Sequence, residues 1–264
     1  MFRNILLSAG IAGLLAALLL TMLQMVLITP LIVQAETFEG GPAAVIEQEA
    51  SAAHSHAAQQ TAAHDHGEHE QPGNDHHHAA AEPAAAHDHH HAGEWAPEDG
   101  LERTLFTLAS NVVMGFAYSL LLVAVYVAWH RPASAVQGLL FGLAGFAVFF
   151  IAPGIGLPPE LPGTEAADLG ARQQWWIAAA LSAAVGLALI CMQKNNLLRG
   201  LGVAILVAPH VIGAPHPAQE GSLAPAELQQ QFRIATTLGN AAFWLALGAF
   251  SAVALRKFSA AQSD

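Results

Sequence analysis

Apolar residues in this chain fall in long unbroken runs, not in the alternation of strands or the narrow stripes of soluble helices. Six runs stand out: Ile5–Val33, Leu105–Trp129, Val136–Leu157, Trp175–Met192, Leu197–Gly213 and Ile234–Leu255. A bilayer core of about 30 Å takes roughly 20 apolar residues of helix. The pattern predicts an all-α integral membrane protein with six transmembrane helices, the fourth and fifth at the short end of the range. Glycines recur inside the runs at Gly10, Gly13, Gly138, Gly142 and Gly145, which suits close approach of helices in lipid. Trp95, Trp129 and the pair Trp175-Trp176 mark the expected interfaces.

The polar segments between runs set the orientation. In a six-helix arrangement Arg3, Arg131, Lys194, Arg199, Arg256 and Lys257 share one side, and Arg103, Arg172 and Arg233 the other. Basic residues collect on the cytoplasmic side, so both termini are expected in the cytoplasm. Residues 1–33 form the first helix, 34–104 an outer loop, and 105–264 a five-helix core. Val33-Gln34-Ala35 resembles a signal-peptidase site behind the positive Arg3, but the apolar stretch far exceeds the usual 7–15 residues of a signal peptide. A retained helix is the reading; cleavage would leave five helices in the same orientation.

Composition supports this and adds a chemistry. Charged residues make up 11% of the chain and hydrophobic ones 54%, where a soluble domain carries about 25% charged. The formal charge of −11 points to cationic partners and away from nucleic acid. Fourteen of the twenty acids and twelve of the fifteen histidines lie between Glu36 and Glu102. The histidines are His54, His56, His64, His66, His69, His76, His77, His78, His87, His89, His90 and His91. With alanine, glycine and glutamate between them, they belong to a segment that cannot bury enough surface to offset ordering, so disorder is expected. Imidazole suits zinc, nickel, cobalt and copper, and interchangeable ligands in a flexible loop collect such ions without a fixed geometry. A solvating, pH-responsive linker is the plainer alternative.

A second candidate is a repeated stretch. Ala152-Pro153-Gly154-Ile155-Gly156-Leu157-Pro158-Pro159-Glu160 and Ala208-Pro209-His210-Val211-Ile212-Gly213-Ala214-Pro215-His216 each close an apolar run with proline, glycine, a second proline and a polar group. Each precedes an acidic outer loop and an arginine at the next helix entrance, Arg172 and Arg233, and Pro30 with Arg103 forms a weaker version. Three in–out hairpins as parallel repeats about the membrane normal would explain this; the frequency of Pro and Gly at helix ends is the alternative. Proline frees the carbonyl one turn earlier, which at membrane depth must lie in protein or in a polar cavity. His210 adjoins that break, and a turn at Gly213 would bring His216 toward it, giving a candidate metal site in the second copy. Glu160 holds the comparable place in the first. Asn111 and Asn240 are read as interhelical hydrogen-bonding residues, with carbonyl donation to a cation as the alternative. His130-Arg131-Pro132 reads as a cytoplasmic turn. No Walker A loop is present, and no nucleophile–base pair stands on a rigid element, so an enzyme is not expected.

The chain resembles the CbtA family of probable cobalt transporter subunits of bacteria. The resemblance rests on the N-terminal helix, the histidine loop, the block Gly156-Leu157-Pro158-Pro159-Glu160-Leu161-Pro162-Gly163, Arg172-Gln173-x-Trp175-Trp176, and Pro209-His210-x-Ile212-Gly213-Ala214-Pro215. It implies an inner-membrane protein that supplies cobalt for cobalamin synthesis beside a small membrane partner, CbtB. Co(II) is then cargo, with Ni(II) or Zn(II) as alternatives, and no tightly bound cofactor is expected. Efflux, or a metal-binding assembly subunit that does not itself transport, are the competing functions.

Overall fold

The computed structural model describes residues 2–39, 97–98, 100–128, 134–219 and 221–260, and these are helical apart from short connections. The first rod is α1 (Phe2–Leu23) and α2 (Thr29–Glu39), joined by a π-helical turn at Gln24–Ile28. The second is α3 (Leu101–Ala128). The third is α4 (Ala135–Phe146) and α5 (Ala152–Gly156), joined by a π turn at Ala147–Ile151. Then follow α6 (Leu169–Met192), α7 (Asn196–Ile212) and α8 (Ala226–Ala260). Five rods are long and apolar enough to cross a membrane; α7 is apolar but shorter, at 17 residues.

Helix ends differ from the apolar runs for local reasons. The fourth rod was expected to be short, yet α6 has 24 residues. Asp168 caps it by accepting a hydrogen bond from the Ala171 amide, so the polar turn before Trp175 is already helical. Asn195 caps α7 in the same way through the Leu197 amide. Ser134 and Gln137 form a reciprocal capping box at the start of α4. The last helix begins at Ala226, eight residues before the apolar run, so its first two turns are amphipathic.

Both π turns are produced by proline. Pro30 and Pro153 have no N–H to give, and each displaces the helical ladder just before it. Thr29 donates to the Gln24 carbonyl and Ala152 to the Ala147 carbonyl, five residues back in each case. Such bulges are where a helix can bend without breaking.

Glycine contacts set the helix pairs. A Cβ at Gly13 of α1 would sit 2.7 Å from the Gly115 carbonyl of α3, and one at Gly115 2.6 Å from the Gly13 carbonyl. Gly138 and Gly142 of α4 meet Gly248 and Trp244 of α8, backbone on backbone. Gly186 of α6 and Gly202 of α7 repeat the arrangement. The expected role of the in-helix glycines holds for Gly13, Gly138, Gly142 and Gly145, whereas Gly10 touches nothing. The main helix pairs are α1–α3, α4–α8, α6–α7 and α1–α8. The first and third of these join neighbouring rods, while α8 packs across the bundle on α4 and α1.

The central core gathers Ala16 and Leu20, Leu122 and Tyr126, and Phe243, Trp244 and Leu247 from α1, α3 and α8. Trp244 lies at its middle, stacked on Phe149 at 5.4 Å and tilted against Tyr118 at 4.7 Å. Gly145 leaves the room its ring occupies. Several buried polar groups pair between helices, where water is scarce. The Ser119 and Ser251 hydroxyls bond at 2.9 Å, Tyr126 Oη donates to the Gly248 carbonyl at 3.2 Å, and Asn4 Nδ2 donates to the Phe258 carbonyl at 2.7 Å.

Candidate metal path

The two proline-glycine stretches end on the same face of the bundle. Leu157–Asp168 follows the first, and the segment after Gly213 follows the second. Backbone hydrogen bonds tie these connections together: Leu223 donates to the Gly163 carbonyl and Glu165 to the Gly221 carbonyl, each at 3.0 Å. Gln229, buried near the start of α8, pins the crossing. Its Nε2 donates to Thr164 Oγ1 at 2.7 Å and to Ser222 Oγ at 2.9 Å, while its Oε1 accepts from the Leu161 amide at 3.3 Å. The end of α2 joins this cap: Ala35 packs with Leu161, Ala224, Leu228 and Phe232. Glu36 forms an ion pair with Arg103 at 2.8 Å. Val33-Gln34-Ala35, the stretch that resembles a cleavage site, is therefore helical and partly enclosed.

Within this face, α7 runs one turn past Pro209. It ends where the Gly213 amide donates to the Pro209 carbonyl at 3.0 Å. Gly213 has φ +90°, a conformation that favours glycine, and the chain turns away there. His210 occupies that last turn. Its ring meets the edge of Trp175, from α6, with centroids 5.8 Å apart and planes at 69°. Trp175 in turn covers Gly156, the last residue of α5, so closely that no Cβ fits, and Ala214 closes the same space at 2.8 Å. One indole thus joins both stretches, Gly156 of the first and His210 of the second.

The polar atoms here are unusual. Four buried side-chain polar atoms lack a hydrogen-bond partner among the described residues, Ser8 Oγ and Thr236 Oγ1 elsewhere in the bundle and His210 Nδ1 and Trp175 Nε1 together here. A buried polar atom left unpaired costs about 1–3 kcal/mol, so a water or an ion is the ordinary resolution. The indole nitrogen can only donate, whereas a neutral imidazole offers one lone pair. The pair presents a ligand atom beside a donor.

His216 lies beyond Gly213 on an exposed connection. No group of three or more histidine, cysteine, aspartate or glutamate side chains is assembled among the described residues. Glu160 faces Arg172 at 3.8 Å, so the polar group of the first stretch has a counter-ion. The twelve loop histidines from His54 to His91, with Trp95, Trp129 and His130, lie outside the described residues.

Asn111 does bridge helices: its Nδ2 donates to Thr21 Oγ1 at 2.9 Å and to Gln24 Oε1, at the start of the first π turn. Asn240 does not, since its Nδ2 turns back to the Thr236 carbonyl of its own helix at 3.0 Å. The two asparagines matched in sequence therefore differ in role. Trp175, read from sequence as an interface marker, and Gln229, not singled out at all, are the residues that sequence reasoning missed. The three motif blocks that carry the family resemblance meet here, through Gly156 in the first, Trp175 in the second and His210 with Ala214 in the third.

A family model described as "Probable cobalt transporter subunit (CbtA)" matches residues 2–75 and 67–256. The chain belongs to this family. The match covers the N-terminal rod, the histidine segment and both proline-glycine stretches of this CbtA protein. No curated protein and no solved structure matches it. Membership makes it a membrane protein with a role in cobalt transport, acting as a subunit.

Proposed function

We propose that this CbtA protein carries Co(II) inward across the bacterial inner membrane, with both termini in the cytoplasm, and that Ni(II) is its nearest competitor. The observation that carries this reading is His210: an imidazole with a buried, unpartnered Nδ1 beside a proline break, on the face where both repeated stretches end. In this reading His210 is the selective ligand, His216 on the exposed turn receives the ion before it, and the histidine-rich segment collects metal upstream. The ion keeps part of its water shell, and the Trp175 Nε1–H holds one oxygen of that shell. The π turns at Pro30 and Pro153 are the flexible joints of the path. The membrane potential is an adequate drive, since two charges moving to a negative interior gain about 4.6 kcal/mol per 100 mV.

The test is radiolabelled cobalt flux into proteoliposomes under an imposed potential, comparing cobalt, nickel and zinc. His210→Gln, which keeps volume and hydrogen bonding but removes the imidazole, should abolish flux, and His216→Gln should reduce it. Deleting residues 50–93 should raise the half-saturating cobalt concentration and leave the maximal rate. Unchanged flux in His210→Gln sinks the site assignment. The family description as a subunit favours a second reading, in which this chain binds cobalt and passes it to a small histidine-bearing membrane partner of the CbtB type. Flux that appears only when that partner is co-reconstituted selects the second reading.

A further inference from the structure

A cavity of about 670 Å³ opens between the first stretch, from Gly154 to Glu160, and the start of α6, and no residue of the second stretch, His210 included, lines it. Its size falls within the roughly 300–1,000 Å³ of small-molecule sites. The walls are mostly apolar, with Phe149, Phe150, Trp176 and Ile177 along one side. Glu160 and Arg172 stand at its rim, 3.8 Å apart and about one third exposed. The two form an ion pair, but the separation is too long for a hydrogen bond, so both keep hydrogen-bonding capacity for a ligand. Gly154 also lines the cavity, and a Cβ there would meet nothing within 4 Å. The charged rim is next to Trp175-Trp176, where the apolar part of α6 begins, the level at which aromatic residues meet lipid headgroups.

We propose that this cavity binds a zwitterionic phospholipid with a primary-amine headgroup, of the phosphoethanolamine class. Arg172 takes the phosphate, in the geometry guanidinium favours. Glu160 accepts hydrogen bonds from the ammonium, and an acyl chain lies along Phe150, Trp176 and Ile177. Both charges of the rim are then matched by one ligand. A choline headgroup has no N–H for Glu160, and a glycerol headgroup has no positive charge for it.

Native mass spectrometry of the full chain in detergent, with phosphatidylethanolamine, phosphatidylcholine or phosphatidylglycerol added singly, tests this. Phosphatidylethanolamine should be retained most strongly. Glu160→Gln, which keeps an acceptor oxygen but removes the charge, should cut that retention about tenfold and narrow the preference over phosphatidylcholine. Arg172→Gln should weaken all three lipids, and Gly154→Leu should exclude them by filling the space. Thermal melting in lipid-free detergent confirms that each variant folds; if Gly154→Leu does not, the near-isosteric Glu160→Gln still decides. Equal retention of the three lipids, preference for phosphatidylglycerol, or no effect of Glu160→Gln would each overturn the proposal. The readout is lipid, so it stands or falls apart from cobalt flux.

Discussion

Gly13 and Gly10 lie three residues apart on the same helix and offer a paired experiment on what holds this bundle together. A methyl group at Gly13 would sit 2.7 Å from the Gly115 carbonyl carbon and oxygen and from the Phe116 nitrogen, all backbone atoms. Ordinary contact begins at 3.4 Å, so α1 and α3 must separate by several tenths of an ångström along their interface. A radial gap of about 0.5–1 Å forfeits a quarter to a half of each dispersion contact, and overpacking of this kind costs about 1–3 kcal/mol. A methyl group at Gly10 meets nothing within 4 Å, and it should gain the roughly 0.5–1 kcal/mol by which alanine outdoes glycine in a helix. Because the propensity gain is common to both, the difference between Gly13→Ala and Gly10→Ala isolates the packing term. For a chain of this size 1 kcal/mol moves the midpoint by about 2–4 °C, so Gly13→Ala should melt about 2–12 °C below Gly10→Ala. Melting of purified protein in mild detergent, followed by helical circular dichroism, measures this. If the two variants melt together, the glycine contact is not what sets the approach of α1 to α3.

Three further outcomes follow from the described contacts. Asn111→Leu removes an amide donor shared by Thr21 and Gln24, and should lower stability by about 0.6–1.7 kcal/mol, the span measured for hydrogen bonds inside membranes. Guanidinium or urea titration in detergent reads it, and a more stable variant would show that the cluster does not stabilise the bundle. Gln229→Ala cuts three hydrogen bonds that hold the crossing of the two connections; limited proteolysis should then cut within residues 161–165 faster, with the melting point little changed. Intact-mass measurement of membrane-extracted protein should show the first rod retained, since Ala35 is buried in the bundle; a mass corresponding to cleavage after Ala35 would contradict this.

The apolar runs make the six described rods legible because a hydrocarbon core demands about 20 apolar residues of helix, a minimum that five rods meet and α7 approaches. Where polar residues continue a helix, that signal stops. The first turn of α6 owes its helicity to the Asp168 cap, and the first turns of α8 to an amphipathic register with Leu228 and Phe232 inward. The π turns carry no composition signal apart from the proline that follows each. Gly138, Gly142 and Gly145 announced a close neighbour but not which one, because glycine spacing carries no address for its partner; α8 fills that place. His210 was visible as a histidine beside a proline, and the break was read as the site. Trp175 was harder to see, since tryptophan at the start of a membrane helix usually marks an interface and nothing else. Gln229 sits in a run of three glutamines, and only its spacing from Leu228 and Phe232 hinted that it faces inward.

The position of α8 also bears on how the molecule is made. This helix, which follows every other described element in the chain, contacts α1, α3 and α4, supplies Trp244 to the central core and holds the connections through Gln229. Asn4, at the start of α1, finds its partner at Phe258, 254 positions later. Until α8 is inserted, the glycine face of α4 and the inner faces of α1 and α3 have only lipid or each other to cover them. The α1–α3 and α6–α7 pairs can form before it, but α4 has its main partner only once α8 is in place, so a chain truncated before residue 226 would leave the central core open.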